Sequence, residues 1–351
     1  MKSIDTTPKK NKKAKKSKRQ RRKIWIRVFA SLILVTIFVM ICILAGLYLQ
    51  KGRNLDLTYA YADQIDKNTA GDPAEVMRFT PFAAGLCVSD GDVENAELSI
   101  HEGESGALFD VGGRTVLFGK SMFEKVYPAS ITKILTSIVA IKYGNMDDIV
   151  TITEEDLKLE SGSQVAGLKV GDRVSMDELF HGLLVYSGND CAMAIARHVG
   201  GSIDHYVEMM NQEALAIGAT GTHYINPHGL HDKNHYTTVY DIYLMLNEAL
   251  KYEYFVDTMQ LPNYTMTLSR NNKTANIYLD STDHYLTGEE AMPNGVTVLG
   301  GKTGTTSLAG NCLAILSQNK YGEPYISIVM RATTKDNLYD DMNQLLNQIN
   351  S

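Results

Sequence analysis

Ser130 and Lys133 stand three residues apart at the head of an apolar run, Pro128-Ala129-Ser130-Ile131-Thr132-Lys133-Ile134-Leu135. On a helix that spacing puts both side chains on one face, about 5–6 Å apart at Cβ. A lysine that is taken out of water loses its proton more readily, and a neutral amine beside a hydroxyl can serve as its general base. The chemistry on offer is nucleophilic attack by serine. The simpler reading of the pair is structural, with Ser130 helping to cap a helix and Lys133 reaching to its edge. Two further short motifs follow in order, Ser187-Gly188-Asn189 and Lys302-Thr303-Gly304.

The elements that must position these residues can be read from the chain. Ile131, Ile134, Leu135, Ile138 and Ile141 recur every three to four residues, and Pro128 sits where helices begin, so a helix is predicted from near Pro128. Past Lys133 its other faces carry only Thr136, Ser137, Val139 and Ala140, which predicts a helix running through a core. Before it, two apolar stretches flank Gly112-Gly113-Arg114 and read as a β-hairpin. After it, Thr153 with Glu154, Glu155 and Asp156 looks like a helix start with solvated acids in its first turn. Helices are predicted over Met176–Val185, Asp190–Val199, Ser202–Ile217 and Val239–Leu250. The stretch Tyr264–Asp283 reads as polar and irregular, with one strand at most. Val296–Thr305 is a predicted strand, Gly310–Ser317 and Tyr325–Ala332 a hairpin, and Lys335–Ile349 an amphipathic helix. Strands at both ends with helices between them predict an α+β fold, an antiparallel sheet packed by helices with a helical lobe.

The formal net charge of -6 over 351 residues hides an asymmetry. Residues 1–27 hold 13 lysines and arginines against one acid, Asp5, whereas the rest holds 21 basic and 39 acidic residues. Between them Val28 to Leu49 runs 22 residues without a charge, about 33 Å as a helix against a bilayer core of about 30 Å. The sequence therefore predicts a basic cytoplasmic tail (1–27), one transmembrane anchor (28–49), a stalk (50–80) and an extracytoplasmic catalytic domain (81–351) in the cell membrane. Beside a span, the basic run is read as orienting the anchor rather than binding nucleic acid. Of the four cysteines, Cys42 falls in the span. Cys87, Cys191 and Cys312 are an odd number and read as buried free thiols. No Cys/His group has zinc-ligand spacing, and Pro227 and Gly229 break the helix that the histidines between Thr222 and Tyr236 would need to hold a metal. No metal or cofactor is expected.

The three motifs in this order are those of penicillin-binding proteins and β-lactamases. With Pro128–Lys133, Gly182–Asp190, Asn226–Leu230 and Gly301–Thr306 as blocks, the chain from Ala107 to Leu346 resembles the serine D-alanyl-D-alanine carboxypeptidases, the low-molecular-mass penicillin-binding proteins. The resemblance implies a β-lactamase/transpeptidase-like fold. It implies that Ser130 attacks the bond between two D-alanines of a peptidoglycan stem peptide, with Lys133 taking its proton and water releasing the acyl-enzyme. Ser187 would relay a proton to the leaving amine, and Asn189 would orient Lys133 and the substrate amide. Lys302, Thr303 and Thr305 would receive the terminal carboxylate, Gly304 would let the strand edge approach, and the N–H groups of Ser130 and Thr305 would form the oxyanion hole. β-Lactam antibiotics would be covalent inhibitors.

Two features depart from the family pattern. Many members carry an arginine shortly before the C-terminal helix, where this chain reads Lys335-Asp336-Asn337-Leu338, leaving Lys302, the threonines, Arg331 or Lys335 to hold the carboxylate. Many also have an extra β-domain and a C-terminal amphipathic anchor, which the N-terminal span is expected to replace. The alternatives are a β-lactamase, a transpeptidase or endopeptidase of the same fold, and an inactive peptidoglycan-binding module. A class A β-lactamase is disfavoured because His223-Tyr224-Ile225-Asn226 offers no glutamate, and a pure binder needs no nucleophile.

Overall fold

Alternation along the strands decides how the layers stack. In the computed structural model, which describes residues 83–350 together with Met40, β1 (Ser105–Asp110) and β2 (Thr115–Lys120) form the expected hairpin. β7 (Thr297–Thr306), β8 (Gly310–Gln318) and β9 (Pro324–Ala332) join them in a five-stranded antiparallel sheet of order β2-β1-β9-β8-β7. Ala107, Phe109, Ala314, Ile326 and Ile328 point to one core, while Leu108, Leu313, Ile315 and Val329 point to another. Both faces are thus apolar, and both must be covered.

The C-terminal helix α8 (Lys335–Gln348) covers the second face with Leu338, Met342, Leu345 and Leu346. The helical lobe covers the first. Its centre is α1 (Lys133–Tyr143), in which every residue from Lys133 to Ala140 is buried. Around it lie α2 (Met176–Leu184), α3 (Asn189–Gly200), α4 (Ile203–Ala216) and α5 (Val239–Ala249), which match the predicted helices within one or two residues. Cys87, Cys191 and Cys312 are buried and free.

Three expectations need correction. The helix predicted from Pro128 begins instead as a 3₁₀ turn over Ala129–Thr132, with Ala129 in the left-handed region at φ 47°, and becomes α-helical only at Lys133. Thr153–Asp156 is a run of turns rather than a helix start. Asp156 is buried; its carboxylate accepts the Thr153 N–H and hydroxyl and binds Arg197 at 2.7 Å, so this acid is not a solvated charge. The stretch taken as irregular folds into two eight-residue strands, β5 (Asn263–Arg270) and β6 (Lys273–Asp280), joined through Asn271 and Asn272, both at positive φ. Asparagine tolerates the mirror-image turn that a two-residue hairpin needs. With β3 (Ile149–Thr151) and β4 (Arg173–Ser175), which the sequence reading missed, this hairpin forms a four-stranded second sheet. α6 (Glu253–Met259) was missed as well, and α7 is the single turn His284–Thr287.

The predicted tail, span and stalk lie outside the described residues, Met40 excepted. Among the described residues no helix is long and apolar enough to cross a membrane.

Candidate active site

The 3₁₀ turn and the head of α1 place the first pair. Ala129 is turned into a left-handed conformation that costs a non-glycine residue about 1–2 kcal/mol. Its carbonyl is held by the Thr132 hydroxyl at 2.8 Å, and the Thr132 hydroxyl in turn meets His235 Nε2 at 2.8 Å. Ser130 is left half-buried at the mouth, with Lys133 wholly buried beneath it.

Lys133 Nζ has three neighbours at hydrogen-bond distance: Ser130 Oγ at 2.9 Å, Asn189 Oδ1 at 2.6 Å and the carbonyl of His228 at 2.9 Å. Burial first, and then the positive charge of Lys302, hold its pKa well below the usual lysine range. A free amine at this position would give its two hydrogens to the two oxygens that can only accept and turn its lone pair to the Ser130 hydroxyl.

Two loops support this arrangement from behind. Asn226 Oδ1 accepts the N–H groups of Gly229 and His228, and Pro227 O accepts the Thr136 hydroxyl at 2.7 Å. This turn aims the His228 carbonyl at Lys133. The histidines here serve structure: burial pushes both His228 and His235 down to about 3, so both are neutral at ordinary pH. On the other side the Asp190 carboxylate accepts N–H bonds from Ala166, Gly167, Leu168 and Cys191, which clamps the 164–168 segment against the turn that leads into α3. Ser187 occupies that turn at φ 67°. Its Oγ is buried and has no hydrogen-bond partner among the described residues, so it lies two residues before Asn189 in the chain but outside the hydrogen-bonded set.

β7 closes the site. A Cβ on Gly304 would lie 2.8 Å from Ser130 N and 3.0 Å from the Pro128 carbonyl, so only glycine lets the strand pass this close to the backbone of Ser130. Lys302 is buried, donates to the Thr303 carbonyl at 3.0 Å, and is pushed down to about 7 by burial, with Asp283 pulling the other way. The Thr303 hydroxyl meets that of Thr282 at 2.5 Å, while Thr305 is exposed and bonds Asn311.

Of the two candidates for the absent arginine, the guanidinium of Arg331 is engaged by Ser105 and Glu124. Lys335 lies 3.4 Å from His284, the residue after Asp283.

Sequence reasoning missed the His228 carbonyl, Asp190 and Asp283. The first two belong to quoted blocks, but their roles depend on backbone directions that no spacing encodes. Asp283 is buried, with its carboxyl raised to about 6 by burial, and one of its oxygens lacks a hydrogen-bond partner among the described residues. It sits beside Thr282, across from Lys302 and Thr303. Its charge favours protonated Lys302.

A pH prediction follows. Lys302 carries its charge below about 7 and loses it above. kcat/KM for a substrate ending in a carboxylate should therefore fall as pH rises through that value. In Asp283→Asn the loss should begin at lower pH, with KM raised about 3- to 10-fold near pH 7.5 and kcat less affected. An alkaline limb that stays in place would remove Lys302 from carboxylate binding or Asp283 from its support.

Residues 93–334 match the D-alanyl-D-alanine carboxypeptidase family. Among characterised relatives, the D-alanyl-D-alanine carboxypeptidase DacF of Bacillus subtilis is 32% identical over 267 residues, covering 74% of this chain and 64% of the relative. DacD of Escherichia coli is 31% identical over 256 residues, covering 70% and 62%. The chain thus spans less than two thirds of the length of these relatives. Among solved structures, the D-alanyl-D-alanine carboxypeptidase of Mycobacterium tuberculosis superposes with a TM-score of 0.64 at 26% identity, covering 73% of this chain and 95% of that one. The Streptomyces K15 DD-transpeptidase does so with a TM-score of 0.63 at 25% identity, covering 69% and 94%. The motifs, the antiparallel sheet with its helical lobe and the matched span together establish that this chain belongs to the D-alanyl-D-alanine carboxypeptidase family.

Proposed function

We propose that the protein is a membrane-anchored serine D-alanyl-D-alanine carboxypeptidase that trims the terminal D-alanine from peptidoglycan stem peptides. The observation that carries this reading is the position of Lys133, a buried side chain whose Nζ has Ser130 Oγ at 2.9 Å and two acceptor oxygens on its other sides. The Ser130 oxygen adds to the carbonyl carbon of the penultimate D-alanine as its proton passes to Lys133 Nζ. The oxyanion that forms lies against the Ser130 and Thr305 N–H groups, where Gly304 lets the strand come close. As the C–N bond breaks, the leaving amine takes a proton through Ser187. Its unpartnered hydroxyl suits that role once a substrate is present. Water, deprotonated by the same lysine, then releases the shortened peptide. Lys302, Thr303 and, from the His284 side, Lys335 receive the terminal carboxylate. A β-lactam presents a carbonyl and a carboxylate in the same relation and acylates Ser130.

The basic segment and uncharged stretch at the N-terminus support a single-pass anchor with the catalytic domain outside the membrane. A tag placed after Ser351 should be reached by an impermeant reagent in intact cells, and protection of that tag would reverse the topology.

The direct test is release of D-alanine from a peptide ending in D-Ala-D-Ala by the purified protein. A second reading has its own support. The Streptomyces neighbour of the same fold is a DD-transpeptidase, and the arginine position holds Lys335. Adding an amino acceptor separates the two readings. Free D-alanine with a shortened peptide supports hydrolysis, whereas an acceptor-linked peptide formed at the expense of hydrolysis supports transfer.

A further inference from the structure

A buried corner outside the hydrogen-bonded set of Ser130, Lys133 and Asn189 gathers three potential metal ligands. His101 and Glu104, in the segment entering β1, meet Asp341 on α8, and one ligand atom from each lies within 4.8 Å of the others. Asp341 and Glu104 are 0% and 1% exposed, while His101 stands at the surface. Asp341 Oδ1 lies 2.7 Å from His101 Nδ1. Its carboxylate also accepts the His101 backbone N–H at 3.1 and 3.3 Å, and the Gln344 amide at 3.5 Å. Glu104 Oε1 accepts the Thr333 N–H and the Asn337 amide. Glu104 Oε2 is shut from solvent and has no hydrogen-bond donor among the described residues.

Two carboxylates packed this closely, one with an orphaned oxygen, carry a large desolvation cost that a positive group would offset. A protonated His101, its pKa raised by the bond to Asp341, offsets part of that cost at Asp341 and leaves Glu104 Oε2 unpaired. Lys120 Nζ is spent on the carbonyls of Ile100 and His101.

We propose that this corner binds a divalent cation, with Zn²⁺ the best match, through His101, Glu104 and Asp341. One imidazole with two carboxylates suits zinc better than calcium or magnesium, which prefer all-oxygen shells. Tetrahedral zinc with ligands at about 2.0–2.1 Å sets them about 3.4 Å apart, leaving a fourth position for water. The His101–Asp341 pair must therefore open by under about 1 Å. His101 can move, because its ring is at the surface, whereas the two carboxylates are fixed by packing. The ion would tie the segment entering β1 to α8, fastening the start of the domain to its last helix. No motif spacing announces such a site, because Asp341 lies 240 residues from His101.

The test uses the full-length protein stripped with EDTA and titrated with ZnCl₂ by calorimetry, with thermal melting and penicillin acylation measured in parallel. One Zn²⁺ per chain, a raised melting temperature and unchanged acylation are expected. His101→Ala and Glu104→Gln should each weaken binding about 10- to 100-fold. Glu104→Gln keeps the shape of the corner, and its amide can donate to Asp341, so it should fold. No uptake by the wild type overturns the proposal, as does uptake undiminished in both variants, which would place the ion elsewhere. If the wild type takes up no Zn²⁺ and Glu104→Gln melts higher than it, the carboxylates share a proton instead.

Discussion

Ser130→Ala should abolish covalent labelling by a penicillin and reduce D-alanine release by at least about 10³-fold, leaving only the contribution of substrate binding and the oxyanion site. The expectation is sharp because the substitution removes one atom, and the proposed role of that atom is chemistry rather than packing. Ser130 is half-buried at the mouth, and its hydroxyl meets only Lys133 among the hydrogen bonds of the site. The turn around it is held by Thr132, His235 and Pro128, none of which hydrogen-bonds the Ser130 side chain. Stability should therefore change by no more than about 1 kcal/mol. Intact mass after incubation with penicillin reads the adduct, and thermal melting reads the fold. A full adduct on Ser130→Ala would move the nucleophile elsewhere. Loss of the adduct together with collapse of the fold would show that the serine was structural after all.

How much of this was legible in the sequence depends on the kind of information each feature needs. The pairing of Ser130 with Lys133 was legible because a helical face is a matter of spacing. The burial of α1 followed from the absence of any polar stripe between Ile134 and Ile141. The antiparallel sheet packed by helices followed from strands at both ends of the chain with helices between them. What lowers the pKa of Lys133 and holds its Nζ beside Ser130 was not legible. That arrangement depends on a backbone carbonyl, at His228, delivered by a loop 95 residues away, and on Lys302 approaching from a strand still further along the chain. The left-handed Ala129 was invisible for a related reason: alanine has no preference for that conformation, which is imposed by the contacts around it.

The β5–β6 hairpin was missed on different grounds. Met266 and Leu268 alternate with polar residues, and Asn271-Asn272 is a fair mirror-turn pair, but the outward face is polar enough to be taken for a loop. Asp156 was misread because an acid near a threonine has two uses. It can flank a helix start, or its carboxylate can fold back on the threonine's own N–H, and a half-buried Arg197 partner decided for the second.

Gly229→Ala should be among the most damaging single-methyl changes available in this chain. Gly229 sits at φ 92°, where an L-residue is strained, and a Cβ there would fall 1.8 Å from the Ala129 carbonyl oxygen, 2.4 Å from its carbon and 2.9 Å from Thr132 Oγ1. The obstructing atoms are backbone of the turn that carries Ser130, so no rotamer change relieves the overlap. Either the 226–230 loop withdraws, which pulls the His228 carbonyl away from Lys133 Nζ, or the Ala129 peptide moves, which shifts Ser130. Both routes disturb the amine–hydroxyl geometry. A loss of about 3 kcal/mol or more is expected, lowering the melting temperature by about 6–12 °C in a domain of this size. Penicillin acylation should slow about 100-fold, the scale on which misplacing reacting groups by about 1 Å is felt. Gly201→Ala supplies the control, because Gly201 has a comparable φ of 72° but nothing within 4 Å of its would-be Cβ. That variant bears the backbone strain alone, about 1 kcal/mol or slightly more, and should acylate at the wild-type rate. If the two variants melted together and acylated equally fast, contact with the Ser130 turn would not be what Gly229 protects, and the support given to Lys133 by the 226–230 loop would have to be abandoned.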